Sequence, residues 1–265
     1  MCQLLQLITQ MFLCNHQKVI NVCIILFFTF IANTINAKDS VLENTDSEFH
    51  LSVVTENWYP FNYLDDKGTV IGSATHVVRA TLENAGISYN IKLYPWSRAY
   101  NLARIKPNVL IYSIFRSPIR ENMFHWVCPL SLNNVHSIYK LSARKDIKIN
   151  TKEDLLNYSI NVTRGTFPHE HFLGEGMKEG VNLQLTATNE ANLSMLLKNR
   201  VDLIVEVESA IYQMVRDRGL PKNMIEKVYT AEEMNQVQSC MAISKGTPQN
   251  IINKIKQSHK TLYRD

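Results

Sequence analysis

The segment Val109–Arg120, VLIYSIFRSPIR, indicates the fold class of this chain. Its apolar run is typical of a buried strand in a parallel sheet, and it ends in a turn that carries Arg116 and Arg120. A guanidinium is permanently charged, and its fork of N–H donors matches a carboxylate or a phosphate. Ligands of α/β proteins bind beyond the carboxyl ends of the strands, where both arginines would lie. We therefore predict an anion site there, with a pair of solvated surface arginines as the alternative.

Alternating strand and helix patterns extend on both sides of this segment. Upstream, the pattern predicts strands over 49–55 and 87–93 and helices over 74–85 and 97–104. Downstream, it predicts strands over 159–163, 183–186, 202–207 and 240–244, helices that begin near Thr166, cover 190–198 and end near Arg218, and a last helix that begins at Pro248. The sequence therefore predicts an α/β protein built from two lobes.

The first 37 residues differ in composition from the rest of the chain. They contain no Asp, Glu or Arg, and Lys18 precedes an apolar run over 19–32 that is followed by Ala37. A membrane span needs about 20 apolar residues, so the short run indicates a secretory signal peptide over residues 1–37. We expect cleavage after Ala37 and a location outside the cytoplasmic membrane. An uncleaved anchor is the alternative.

Charge and cysteine content narrow the possible functions. The chain has 28 Lys plus Arg against 24 Asp plus Glu, a balance that argues against nucleic acid as a partner. Cys128 and Cys240 fit either one disulfide or two buried thiols, and we favour free thiols. The tripeptide His169–His171 has no third ligand at metal spacing, so we expect no metal site and no cofactor. The sequence contains no phosphate loop or nucleophile motif, and we expect no enzyme activity.

Five short motifs follow one another along the chain and carry a resemblance to a known family. They are WYPFNYLDDKGTVIG at 58–72, PWSRA at 95–99, RSPIRENMFHWVCP at 116–129, NRVDLI at 199–204 and SKGTP at 244–248. In this order they resemble the extracellular solute-binding proteins of family 3, the polar amino-acid-binding components of bacterial ABC importers. The resemblance covers nearly all of the chain after residue 37, and it implies a periplasmic location.

The resemblance implies a type II periplasmic-binding-protein fold, a clamshell of two α/β lobes joined by two crossing hinge strands. Lobe 1 would contain residues 38–134 and 241–265, and lobe 2 would contain residues 135–240. The crossings would lie near 130–137 and 238–241, so a disulfide between the two cysteines would hinder closure. Family members usually continue with one more short helix, so the resemblance leaves a truncated C-terminus as one alternative.

The resemblance also implies where a ligand is held. Arg120 matches the arginine with which family members hold a ligand carboxylate. Arg164-Gly165-Thr166 matches a turn at a helix start, where backbone N–H groups favour an anion. The expected binding residues are Trp58, Tyr59, Trp96, Ser113, Phe115, Arg116, Arg120, Arg164, Gly165, Thr166, Glu206 and Glu208.

One departure from the family bears on the ligand. Val207 stands where amino-acid binders commonly place an Asp that meets the ligand ammonium group, and Glu206 or Glu208 would have to replace it. The surplus of arginine favours a ligand that is more acidic than a neutral amino acid. A short peptide or another carboxylate is the alternative.

We therefore expect a monomeric periplasmic protein that captures a small carboxylate-bearing ligand for the permease of an ABC importer. One alternative is an enzyme that resembles periplasmic cyclohexadienyl dehydratases, with Glu206 or Glu208 as a buried acid. The other alternative is a sensing module that delivers its ligand to a membrane receptor.

Overall fold

The computed structural model describes residues 49–131 and 135–263. The predicted signal peptide, residues 1–37, lies outside the described residues. Two five-stranded sheets with helices packed on their faces form a two-lobed α/β fold, which confirms the fold class predicted from the sequence. Within the described ranges, no helix has the length and apolar character needed to cross a membrane.

Strands and helices alternate along most of the described chain. The strands are β1 His50–Thr55, β2 Tyr63–Leu64, β3 Val70–Ile71, β4 Ser88–Leu93, β5 Val109–Phe115, β6 Phe124–Ser131, β7 His136–Leu141, β8 Ile160–Thr163, β9 Leu183–Thr186, β10 Leu203–Val207, β11 Ile225–Thr230 and β12 Ser239–Ser244. The α-helices are α1 Ser73–Asn84, α2 Trp96–Ile105, α3 Phe167–Gly174, α4 Asn189–Leu197, α5 Glu208–Asp217, α6 Glu232–Asn235 and α7 Gln249–Leu262.

The first sheet has the strand order β4-β1-β5-β12-β6. β1 pairs in parallel with β4 and β5, and β12 pairs antiparallel with β5 and β6. All seven residues of β5 are buried, because alternate side chains pack against helices on opposite faces of the sheet. Leu110 packs in a core with residues of α1 and α7, and Ile111 packs in another with residues of α2.

The second sheet has the strand order β11-β7-β10-β8-β9. β8 pairs in parallel with β9 and β10, and β7 pairs antiparallel with β10 and β11. Ile204 belongs to a core that includes residues of α4 and α5, and Val205 belongs to the core that includes Phe172 of α3. Because β8 and β10 are parallel, their carboxyl ends lie at the same edge of this sheet.

The chain passes from one sheet to the other twice. β6 ends the first passage through the first sheet, and β7 begins the second sheet after residues 132–134, which lie outside the described ranges. β11 and α6 then lead back to β12 in the first sheet. The first sheet is therefore built from two separate parts of the described chain, and the second sheet from the part between them.

Cys128 and Cys240 form a disulfide, so the preference for free thiols was wrong. They lie on β6 and β12, which are neighbouring strands of the first sheet. Sheet pairing brings the two thiols together across a sequence separation of 112 residues, which the sequence does not reveal. Because the bond lies within one sheet, it does not tie the lobes together, contrary to the expected effect on closure.

Reduction of this disulfide should lower the free energy of unfolding by up to about 4–5 kcal/mol, because the bond closes a long loop in the unfolded chain. Urea unfolding of the oxidised and the reduced protein measures the difference. The double variant Cys128→Ser/Cys240→Ser is the matched control and should resemble the reduced protein. An unchanged urea midpoint after complete reduction would contradict this expectation.

Candidate functional site

A cavity lies between the two lobes, beside the carboxyl ends of β1, β5, β8 and β10. It contains about 460 Å³ of space, part of which is open to solvent. Four aromatic side chains, two carboxyl groups and one guanidinium contribute to its wall. They are Trp58, Trp96, Phe115, Phe167, Glu56, Glu206 and Arg120. The cavity therefore combines apolar rings with charged groups at the position expected for a ligand in an α/β fold.

Glu56 enters the cavity wall from the loop after β1. Buried Asn62 fixes this loop: its Nδ2 donates to the backbone oxygen of Glu56 at 2.6 Å, and its Oδ1 accepts from Ser113 Oγ at 2.5 Å. Gly72 allows the loop to pass close by, because a Cβ on this residue would lie 2.3 Å from the backbone oxygen of Phe61. Ser113 thus lines the cavity, and its hydroxyl positions the loop that carries Glu56.

Glu206 enters the cavity from β10 of the second lobe, and its side chain is buried. Its Oε1 accepts hydrogen bonds from Trp58 Nε1 at 3.0 Å and from the backbone N–H of Val207 at 2.8 Å. Asn57 Nδ2 donates to Glu190 Oε1 at 2.7 Å beside this contact. Hydrogen bonds from the loop after β1 therefore reach two carboxylates of the opposite lobe.

Burial raises the pKa of both carboxyl groups in the cavity. The pKa of Glu56 rises to about 8, mainly through loss of hydration and further through the charges of Glu206 and Glu190. The pKa of Glu206 rises to about 7, because loss of hydration outweighs the hydrogen bonds from Trp58 and the backbone of Val207. Near neutral pH this site retains protons that exposed carboxyl groups have lost.

Arg120 is fully buried and is paired with a carboxylate of the chain itself. Its Nε and Nη2 lie 2.9 and 2.7 Å from Oε1 of Glu170 on α3. The other carboxylate oxygen of Glu170 accepts from Ser117 Oγ at 2.9 Å. Arg120 also donates to the backbone oxygens of Gly165 and Phe115 at 3.0 and 3.3 Å. The charge of the cavity's guanidinium is therefore neutralised from the opposite lobe.

The predicted clamp formed by Arg116 and Arg120 is wrong. Arg116 is 41% exposed and forms an ion pair with Glu121 at 2.5 Å, on the surface of the first lobe. Arg164 is also directed away from the cavity: it is 62% exposed and lies 3.6 Å from Glu179. The two arginines share short motifs with site residues, but neighbouring positions in a turn direct their side chains differently.

The turn before α3 presents an acceptor where an anion-binding donor was predicted. Thr166 lines the cavity, and the backbone oxygen of Gly165 accepts from Trp96 Nε1 at 2.6 Å and from Arg120. The backbone N–H of Gly165 is used by His169 Nδ1 at 3.0 Å. The backbone N–H of Gly165 is therefore already occupied, and an anion at this turn stays a prediction.

Glu208 and Tyr59 also lie outside the cavity. Glu208 begins α5, is 55% exposed and lies 3.4 Å from Lys227 on the surface, so the structure does not bring it together with Glu206 in the cavity wall. Tyr59 lines a second pocket of about 670 Å³ that adjoins the cavity and shares Trp58 and Glu206 with it. Its ring centroid lies 4.7 Å from that of Tyr63.

The side chains of His169, Glu170 and His171 form contacts with different partners. His169 Nε2 lies 3.0 Å from Glu179, Glu170 pairs with the first lobe, and His171 lies 3.8 Å from Glu233. Within residues 49–131 and 135–263, no group of three His, Cys, Asp or Glu side chains has an arrangement that would hold a metal ion.

The sequence profile of the bacterial extracellular solute-binding proteins, family 3, matches residues 51–260. The chain belongs to this family. Three of the motifs that suggested the resemblance contribute residues to the cavity of this solute-binding protein: Trp58 from the loop after β1, Trp96 from the start of α2 and Arg120 from the turn after β5. No curated protein sequence matches the chain.

Three solved structures show the same fold. A histidine kinase sensor domain with similarity to periplasmic binding proteins has 18% identity and a TM-score of 0.69, over 82% of this chain and 91% of that chain. An ancestral arginine-binding protein bound to arginine has 18% identity and a TM-score of 0.67, over 82% and 93%. The arginine-, lysine-, histidine-binding protein ArtJ from Geobacillus stearothermophilus has 17% identity and a TM-score of 0.66, over 81% and 89%.

Sequence reasoning missed two acidic residues of this solute-binding protein. Glu56 directly follows a predicted parallel strand, and the rule that selected the arginines after β5 applies to it equally. Glu170 lies on a short helix between two histidines and carries no comparable signal. Its contact with Arg120 joins residues 50 positions apart on different lobes.

The free energy of unfolding of the ligand-free protein should fall as the pH rises from about 5 to 8. In this range Glu56 and Glu206 keep protons in the folded protein, with pKa values of about 8 and 7, whereas the unfolded chain has released them. Since the unfolded state binds fewer protons, stability decreases with pH.

Urea unfolding at several pH values measures this slope. Glu56→Gln should flatten it relative to the wild type, and Glu208→Gln is the matched surface control that should leave it unchanged. A slope in the Glu56→Gln variant as steep as that of the wild type would contradict the assignment.

Proposed function

We propose that this family 3 protein captures a small organic cation, an amine or a guanidinium compound, between its two lobes. The observation that supports this proposal is the charge of the cavity wall. Among the described residues, Glu56 and Glu206 have no cation within salt-bridge distance, whereas Arg120 is already paired with Glu170. The part of the cavity wall that the structure describes thus leaves two carboxyl groups, and no guanidinium, without an ion-pair partner.

The aromatic wall supports the same ligand class. The ring centroid of Phe115 lies 6.0 Å from that of Trp58 and 5.4 Å from that of Phe167, so the rings form a continuous surface. The faces of aromatic rings attract cations, by about 0.5–2 kcal/mol per contact. Rings and carboxyl groups together replace the water that an ammonium or guanidinium group loses on entry.

This proposal replaces the acidic ligand expected from the number of arginines. Arg116 and Arg164 lie on the surface, so they add no positive charge to the cavity. An acid group placed in the cavity would lie near Glu56 and Glu206 and would disfavour their ionisation further, whereas a cation would favour the ionised forms that attract it. The family supports a small-molecule ligand, and the local charges favour a cationic one.

We propose that the protein works outside the cytoplasmic membrane and passes its ligand to a membrane protein. The family supports the permease of an ABC importer as that partner. The sensor domain with a similar fold supports a receptor as the alternative. Genes for a permease and an ATPase beside the gene of this protein would favour import, and co-precipitation with the encoded permease tests it directly.

Acid catalysis by a dehydratase-like enzyme is a second candidate function. One observation favours it: Glu206 lines the cavity, and its pKa of about 7 suits a general acid at neutral pH. Binding ranks first because the three similar structures described above are of binding proteins and a sensor domain. Incubation with prephenate or arogenate tests the enzyme, which would show turnover that Glu206→Gln abolishes.

Organic cations should raise the melting temperature of the protein, because a ligand bound only by the folded state stabilises it. A thermal-shift screen of amines, guanidinium compounds, dicarboxylates and short peptides identifies the class, and calorimetry measures the affinity. Glu56→Gln and Glu206→Gln should each weaken cation binding by at least about 30-fold, as expected for the loss of a buried charged partner.

Glu208→Gln is the matched control for this screen, because it removes an exposed carboxylate of the same lobe as Glu206 and should leave the affinity unchanged. Stabilisation by dicarboxylates with no response to any cation would refute the proposal.

A further inference from the structure

Both carboxylate oxygens of Glu170 are held by the first lobe. One oxygen lies 2.9 and 2.7 Å from Nε and Nη2 of Arg120, and the other accepts from Ser117 Oγ at 2.9 Å. The Arg120 side chain has no exposed surface, and 19% of the Glu170 side chain is exposed. The ion pair is therefore largely desolvated. It crosses the cleft, because Glu170 belongs to α3 of the second lobe.

The remaining contacts of Arg120 leave little room for an additional acid group. Its Nη1 and Nη2 also donate to the backbone oxygens of Phe115 and Gly165. The rings of Trp96 and Tyr100 lie 5.4 and 5.2 Å from its guanidinium carbon. A ligand carboxylate would therefore reach this guanidinium only by displacing Glu170.

Displacement of Glu170 has an electrostatic cost. It would separate a partly buried carboxylate from its cation, and a charge that loses its partner in such a position is strongly destabilised. The displaced group and the ligand carboxylate would also add negative charge to a cleft that contains Glu56 and Glu206. A ligand without an acid group avoids both costs.

We propose that Glu170 determines ligand specificity. Its carboxylate occupies the position beside Arg120 and Ser117 that a ligand carboxylate would otherwise take. The cleft then selects an amine or guanidinium compound over the amino acid that differs from it only by an additional carboxylate. This inference rests on the proposed capture of an organic cation by Glu56 and Glu206, and it names the ligand class as cations without a carboxylate.

Matched pairs of compounds test the inference, because the members of each pair differ by one carboxylate. Suitable pairs are agmatine and arginine, cadaverine and lysine, and tyramine and tyrosine. Calorimetry with the wild-type protein should show a preference for the amine of at least about 100-fold in any pair that binds, the scale of rejection expected when a buried charged site must be broken.

Glu170→Gln keeps the shape of the side chain and removes the charge that neutralises Arg120. In this variant the amino acid of the same pair should gain at least about tenfold in affinity, while the amine should not gain. Glu175→Gln is the matched control at the end of the same helix, where Glu175 pairs with Lys152 at 2.9 Å on the surface, and it should keep the wild-type preference.

Each outcome of these measurements decides a separate point. Equal affinity of the wild type for amine and amino acid would overturn the role of Glu170, as would an unchanged preference in a folded Glu170→Gln variant. If that variant does not fold, the wild-type preference and its reduction by Ser117→Ala decide the question. If no cation binds the wild type, the proposed function fails before the role of Glu170 is tested.

Discussion

The ion pair between Arg120 and Glu170 sets the charge of the site around it. A guanidinium without exposed surface needs a carboxylate beside it to offset its lost hydration, because removing an ion from water costs several kcal/mol. In this protein the carboxylate comes from the opposite lobe, so the contact that neutralises Arg120 also links α3 to the turn after β5. The acidic groups of the cavity wall that have no ion-pair partner among the described residues are then Glu56 and Glu206.

Loss of hydration changes the pKa values of those two carboxyl groups. Asn62 holds the backbone of Glu56, and the indole of Trp58 donates to the carboxyl group of Glu206. Loss of hydration raises the two pKa values to about 8 and about 7. A cation that enters between the aromatic rings would favour their ionised forms. Desolvated carboxyl groups lower the stability of the folded protein. Carboxyl groups with raised pKa values concentrate at binding and catalytic sites.

Much of the fold follows from local patterns. β5 was predicted because an uninterrupted apolar run fits a strand covered on both faces, and α7 because Pro248 precedes a set of isoleucines at helical spacing. β11 was missed, because its exposed Glu226 and Lys227 interrupt the apolar pattern of a strand that lies at the edge of the second sheet. Pro129 is compatible with β6, because Pro is tolerated where a strand lies at a sheet edge.

The sequence by itself determined the alternation of strands and helices, the family, and the loops in which site residues would lie. Only the tertiary structure decided which charges face the cavity. Arg116 and Arg120 are equivalent as a sequence pattern, yet one pairs with Glu121 on the surface and the other with Glu170 across the cleft. Periodicity depends on neighbours along one element, whereas burial, ion pairing and the Cys128–Cys240 bond depend on how distant segments pack together.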